Sequence, residues 1–155
     1  MMTGFDLCEL IHVGGVHYNV EGCNPNEIYK NICNLIPLPE NYDPSSICTE
    51  LLSREQVLST AVGNGISIPH PRRPIIKNSS DQRLAVCYLK TPFDMQAPDS
   101  RKVYVMFVLL SSSTQTHLQV LSELARLFRD VEFRKVLESK PSENDLLLAI
   151  KKAGI

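Results

Sequence analysis

The run Val103 to Leu110, VYVMFVLL, limits the fold more tightly than any other stretch. Alternate side chains of a strand point to opposite faces of its sheet, and here both sets are apolar. Such a run reads as a central strand covered on both sides. Arg83 to Lys90, RLAVCYLK, is a second strand, and the alternating Val16 to Val20 a third. Helical patterns lie between and after them. Residues 5–12 form a short helix with Phe5, Cys8 and Leu10 or Ile11 inward, ended by Gly14-Gly15. Asn24-Pro25-Asn26-Glu27 starts another, with Asn as cap, Pro at the first position and Glu at the third. Its apolar face is Ile28, Ile32, Leu35 and Ile36, and Pro37-Leu38-Pro39 stops it.

Asp43-Pro44 opens the next helix in the same way, with Ile47, Leu51 and Leu52 buried and Arg54 in its last turns. Lys77 to Gln82 is a polar loop, and Thr91-Pro92-Phe93-Asp94 turns the chain. Three helices follow Val103 to Leu110. Their inward positions are Leu118, Leu121, Leu124, Ala125 and Phe128, then Phe133, Val136 and Leu137, then Leu146, Leu147 and Ile150. Strands mixed with helices in this order predict an α/β fold: a mixed β-sheet flanked by helices on both faces, a three-layer sandwich. With 155 residues and no long linker, residues 1–155 read as a single domain.

Composition removes several function classes. The net charge is −1 and there is no tryptophan, so neither a phosphate-binding field nor a base-stacking surface is expected, and no nucleic acid partner. No run of ~18 apolar residues exists, so no membrane insertion is expected. The start, MMTGFDLCELI, lacks a basic leader and carries Asp6 and Glu9. Cysteines stand at 8, 23, 33, 48 and 87, an odd count without a CxxC pair. Reduced thiols in a cytoplasmic protein fit that pattern better than a disulfide framework or zinc ribbon. Four histidines, at 12, 17, 70 and 117, keep a metal site in view. However, His12 and His17 straddle a Gly-Gly turn and no HExxH or carboxylate cluster accompanies them. Neither is carried into the site, and no metal or cofactor is expected.

Chemistry concentrates in Ser53 to Pro74, SREQVLSTAVGNGISIPHPRRP. Gly63-Asn64-Gly65 between Thr60-Ala61-Val62 and Ile66-Ser67-Ile68 predicts a tight hairpin. Its second arm ends at Pro69-His70-Pro71, where two prolines hold the histidine extended at a strand end. Arg72 and Arg73 follow, suited to an anion. The second histidine of interest lies beyond Val103 to Leu110, in Thr116-His117-Leu118-Gln119. Thr116 with Gln119 is a capping-box pattern, which puts His117 in the first turn of a helix. There the helix terminus disfavours imidazolium and attracts anions such as phosphate.

REQVLSTAVGNGISIPH followed by THLQVLSELARLF resembles the IIA domains of the fructose/mannitol class of the bacterial phosphotransferase system, above all the nitrogen-regulatory branch. The resemblance runs from about Leu7 to Ala153. It implies a mixed sheet between helices. It implies that His70 takes a phosphoryl group from the carrier protein HPr or its nitrogen-branch relative, with His117 the second active-site histidine and Arg54 the nearby arginine. The acceptor would then be a IIB domain, in sugar uptake, or the phosphorylation state would be read by regulated target proteins. The scheme needs no cofactor and no metal. Two departures stand out. Pro71 replaces the usual small residue and is followed by two arginines, and the loop Ser111 to Gln115 is short and lacks a proline.

Overall fold

Strands β4 (Arg83–Phe93) and β5 (Val103–Leu110) pair antiparallel through the centre of the molecule. The computed structural model describes residues 6–154. Around this pair the sheet adds β1 (Val16–Val20), β2 (Ala61–Gly63) and β3 (Ile66–Ser67), in the order β1-β4-β5-β3-β2. β1 runs parallel to β4 and β3 parallel to β5, while β2 closes the edge antiparallel to β3. The sheet is therefore mixed.

Six helices cover it among the described residues: α1 (Leu7–Gly14), α2 (Pro25–Leu35), α3 (Pro44–Val57), α4 (Thr114–Leu127), α5 (Val131–Glu138) and α6 (Glu143–Lys152). The pleat divides the core in two. Leu84, Val86, Tyr88, Val105, Phe107 and Leu109 meet α1, α4, α5 and α6. Ala85, Cys87, Leu89, Met106, Val108 and Leu110 meet α2 and α3. This is the three-layer arrangement expected from a doubly apolar central strand.

The caps are mostly those read from the sequence. Asn24 Oδ1 accepts from Glu27 N at 2.9 Å, and Asp43 Oδ1 from Ser45 N at 3.1 Å. The first helix starts later than expected, with Asp6 as its cap. Leu7, Leu10, Ile11 and Gly14 are its buried positions and Cys8 is only half-buried; Phe5 lies outside the described residues. In α2, Tyr29 and Cys33 join Ile28, Ile32 and Ile36 inside, whereas Leu35 is exposed.

The stripe of α4 is shifted. Val120, Leu124, Leu127 and Phe128 are buried, while Leu118 and Ala125 face outward. In place of the expected turn, β4 runs on through Thr91, Pro92 and Phe93. Pro92 is tolerated because β1 pairing has ended by Leu89 and the register with β5 is irregular between Tyr88 and Phe93. No described helix is long and apolar enough to cross a membrane.

Candidate active site

Two parallel strands carry the site. β3 and β5 lie side by side in register Ile66↔Val105 and Ser67↔Met106, and their carboxyl ends emerge together. The pairing continues past β3, since Leu109 N donates to Pro69 O at 2.9 Å. His70 is the next residue. β5 leads through a short loop into α4, whose fourth residue is His117. Crevices outside the carboxyl ends of sheet strands are a recurrent place for ligands in α/β folds.

The hairpin that aims His70 is built by backbone geometry. Gly63, Asn64 and Gly65 have φ of 94°, 57° and 79°. Positive φ at Asn64 and Gly65, between the paired Gly63 and Ile66, is the mirror-image turn that a two-residue hairpin needs. Gly65 has a second constraint: a Cβ there would lie 2.5 Å from the Tyr104 ring. Asp99 fastens the tip, with its Oδ2 accepting from Asn64 N at 2.8 Å.

His70 Nδ1 lies 2.7 Å from the carbonyl oxygen of Ile68, two residues back. A carbonyl only accepts, so Nδ1 carries the proton and Nε2 keeps its lone pair. The ring of His117 stands edge-on at a centroid distance of 4.7 Å and an interplanar angle of 62°. Burial lowers the pKa of His70, helped by the nearby Arg54 charge and opposed by the Ile68 carbonyl and Glu55. Burial, His70 and Arg54 together pull His117 down to about 4. Both imidazoles are thus neutral near pH 7.

Arg54, in the last turn of α3, donates from Nη1 to Leu58 O at 2.5 Å, which folds its guanidinium back over the helix end. Of the three residues singled out from the sequence, His70 and His117 pack ring against ring, and Arg54 lies near enough for its charge to lower the pKa of both. Arg72 and Arg73 are exposed and form no ion pair with a described residue, while Pro71 is buried.

The cap of α4 differs from the expected one. Ser113, not Thr116, is the N-cap: its Oγ accepts from Thr116 N at 3.1 Å and lies 3.0 Å from Thr116 Oγ1. His117 therefore opens the second turn, and its N–H makes the first intrahelical bond, to Ser113 O at 3.1 Å.

Two positioning residues escaped the sequence reading. Glu55 accepts from Thr60 N (2.8 Å), Thr60 Oγ1 (2.7 Å) and Tyr29 Oη (2.5 Å), and so ties α2, α3 and the hairpin together. Its position beside Arg54 was the available signal. Gln82, buried, accepts through Oε1 from Ser112 N at 2.8 Å and fixes the loop ahead of α4. Its placement in a polar loop gave no signal at all. His12 bonds Glu143 at 2.9 Å, and His17 bonds the Gly14 carbonyl at 2.9 Å and is half-buried. Both lie apart from the site. Among the described residues no three His, Cys, Asp or Glu side chains gather as a metal site.

Residues 9–153 match the family described as phosphoenolpyruvate-dependent sugar phosphotransferase system, EIIA 2. The chain belongs to this family. EIIA 2 proteins take part in phosphoryl transfer, and the half-buried pair of neutral imidazoles suits that role. A nitrogen regulatory protein of Pseudomonas aeruginosa is 35% identical over 144 residues, spanning 90% of this chain and 91% of the relative. The fructose-specific EIIABC component of Bacillus subtilis is 30% identical over 91% of this chain, which corresponds to 22% of that larger protein. The crystal structure of nitrogen regulatory protein IIA-Ntr from Neisseria meningitidis superposes with a TM-score of 0.77, covering 92% of this chain and 97% of that one. At 23% identity the match speaks for the fold.

Proposed function

We propose that this EIIA 2 chain is a cytoplasmic phosphocarrier of the nitrogen-regulatory kind, and that Nε2 of His70 is the acceptor atom. The carrying observation is the 2.7 Å contact from His70 Nδ1 to the Ile68 carbonyl, which leaves Nε2 unprotonated on a ring that packs against His117. The donor is the phosphohistidine of HPr or its nitrogen-branch relative. Nε2 attacks phosphorus as the donor's N–P bond breaks, giving a phosphohistidine on His70. Phosphoryl transfer asks for positioning and charge stabilisation rather than covalent work from the protein. His117 donates an N–H to a phosphoryl oxygen, and Arg54 offsets the negative charge brought into the cleft.

A protein donor suits the surroundings. Val57, Leu58, Val62 and Leu118 are exposed apolar side chains on the elements that hold these groups. The similarity to a nitrogen regulatory protein along nearly its whole length favours regulated target proteins as readers of the phosphorylation state. The match to a fructose-specific component supports a second reading, onward transfer to a IIB domain during sugar uptake.

The test is incubation with phosphoenolpyruvate and the general phosphotransferase proteins, then mapping of acid-labile phosphate. His70→Ala is expected to lose the label completely while keeping its fold. A label retained on His117 in that variant overturns the assignment. Adding a IIB domain separates the two readings, since rapid onward transfer supports sugar uptake.

A further inference from the structure

A chain of hydrogen bonds runs from α2 to the His70 ring. Tyr29, buried, donates from Oη to Glu55 Oε1 at 2.5 Å. Thr60, also buried, donates to the same carboxylate twice, from Oγ1 to Oε1 at 2.7 Å and from N to Oε2 at 2.8 Å. The Thr60 carbonyl accepts from Ile68 N at 3.0 Å, and the Ile68 carbonyl accepts from His70 Nδ1 at 2.7 Å. The residue that sets the His70 tautomer is tied back through Thr60 to Glu55.

A carboxylate is a costly choice if tying is all that Glu55 does. It lies in the last turn of α3, where the helix end disfavours an anion. It is half-buried and forms no ion pair with a described residue, since the Arg54 guanidinium turns to Leu58 O instead. Its partners are two hydroxyls and a backbone amide, all neutral, and a glutamine would satisfy them as well. Withdrawing a charge from water without a cation beside it is unfavourable. The charge gains a purpose at the other end of the chain. When the Nε2 lone pair of His70 forms its bond to phosphorus, the donor's N–P bond breaks and that electron pair returns to the donor ring. His70 keeps its Nδ1 proton, so its ring becomes a cation. The bond to Ile68 is then charge-assisted, and an anion behind it stabilises the new state.

We propose that Glu55 is a positioning residue for phosphoryl transfer: through Thr60 and Ile68 it holds the carbonyl that orients His70, and its carboxylate offsets the positive charge that the ring acquires as Nε2 takes the phosphoryl group. The inference rests on the acceptor role of His70. Arg54 and Glu55, adjacent on α3, then serve opposite charges, the phosphoryl oxygens and the imidazolium. The free ring already feels the carboxylate: burial lowers its pKa, the Ile68 carbonyl resists, the Arg54 charge adds to the fall and Glu55 opposes it.

The experiment uses Glu55→Gln, which keeps the shape and an acceptor for Thr60 N but removes the charge. Two measurements are made on the full chain. One is an NMR titration of the His70 ring without phosphate. The other is single-turnover transfer from phosphorylated HPr or its nitrogen-branch relative, with the label mapped. In the variant the Nδ1 proton should stay on its carbonyl and the His70 pKa should fall further. The transfer rate should drop roughly 10-fold, short of the loss expected for a group that touches the phosphoryl oxygens directly. Tyr29→Phe leaves the charge in place and should cost less. A His70 titration unchanged by Glu55→Gln, or a transfer rate within about two-fold of wild type, overturns the inference while leaving His70 as acceptor. A wild-type label mapped away from His70 overturns the acceptor role itself.

Discussion

The two imidazoles reach one cleft by different means. His70 is held by its own neighbourhood: Pro69 and Pro71 on either side, and a ring bond to a carbonyl two residues back. Its orientation is nearly a property of the local chain. His117 owes its place to distant groups. Gln82 holds Ser112, Ser113 caps α4, and β5 delivers the helix beside the hairpin. An acceptor nitrogen needs a fixed tautomer, which a local bond supplies cheaply in entropy. A donor that meets an oxygen only after the phosphoryl group arrives can be set by tertiary packing.

This contrast can be broken from the second side. His117→Ala should slow phosphoryl transfer by roughly 10²–10³-fold, the range for removing one preorganised donor. His117→Gln, which restores an N–H, should recover part of the rate. Single-turnover transfer from the phosphorylated donor measures both, and equal rates for Ala and wild type would leave His117 without a role.

Gln82→Ala should act on His117 alone. It strips the partner from Ser112 N and should cost about 1–3 kcal/mol of stability in urea unfolding. The transfer rate should fall several-fold while the His70 ring signal in NMR stays put. A shifted His70 resonance would mean that the two halves are not separable.

Acid tests the shared property of the pair. Both imidazoles have folded pKa values below the ordinary 6.5, so below that pH the unfolded chain binds more protons than the folded one. Their contribution is complete above about pH 6.5 and is lost as pH falls, down through the value near 4 for His117. The transfer rate should therefore stay flat from pH 8 to 6.5, with chemical denaturation showing weakening only below. A rate that declines already above pH 6.5 would contradict neutral imidazoles. The smallest effect is expected from Arg72→Ala with Arg73→Ala. These exposed charges should change donor affinity by a few-fold at low salt and hardly at all at high salt, since exposed charges are screened.

Much of this was legible in advance, for identifiable reasons. The Gly63-Asn64-Gly65 turn, the Asn24 and Asp43 caps and the doubly apolar β5 are local rules with few competing outcomes. Errors arose where periodicity had to be phased. Leu118 and Leu124 fit one helical stripe on paper, but the buried stripe of α4 runs Val120, Leu124, Leu127. The cap moved to Ser113 because Ser113, Thr116 and Gln119 repeat the same polar spacing. The β4 extension through Pro92 depended on a missing neighbour, which no propensity scale contains.

The sequence by itself determined a mixed α/β sheet and one histidine pinned by prolines at the end of a hairpin arm. Both follow from backbone sterics and from which side chains avoid water. Only the tertiary structure decided that His117 packs against His70 and that Arg54 lies near both. Those pairings join groups on separate elements, and they are settled by how the layers pack, which chain order leaves open.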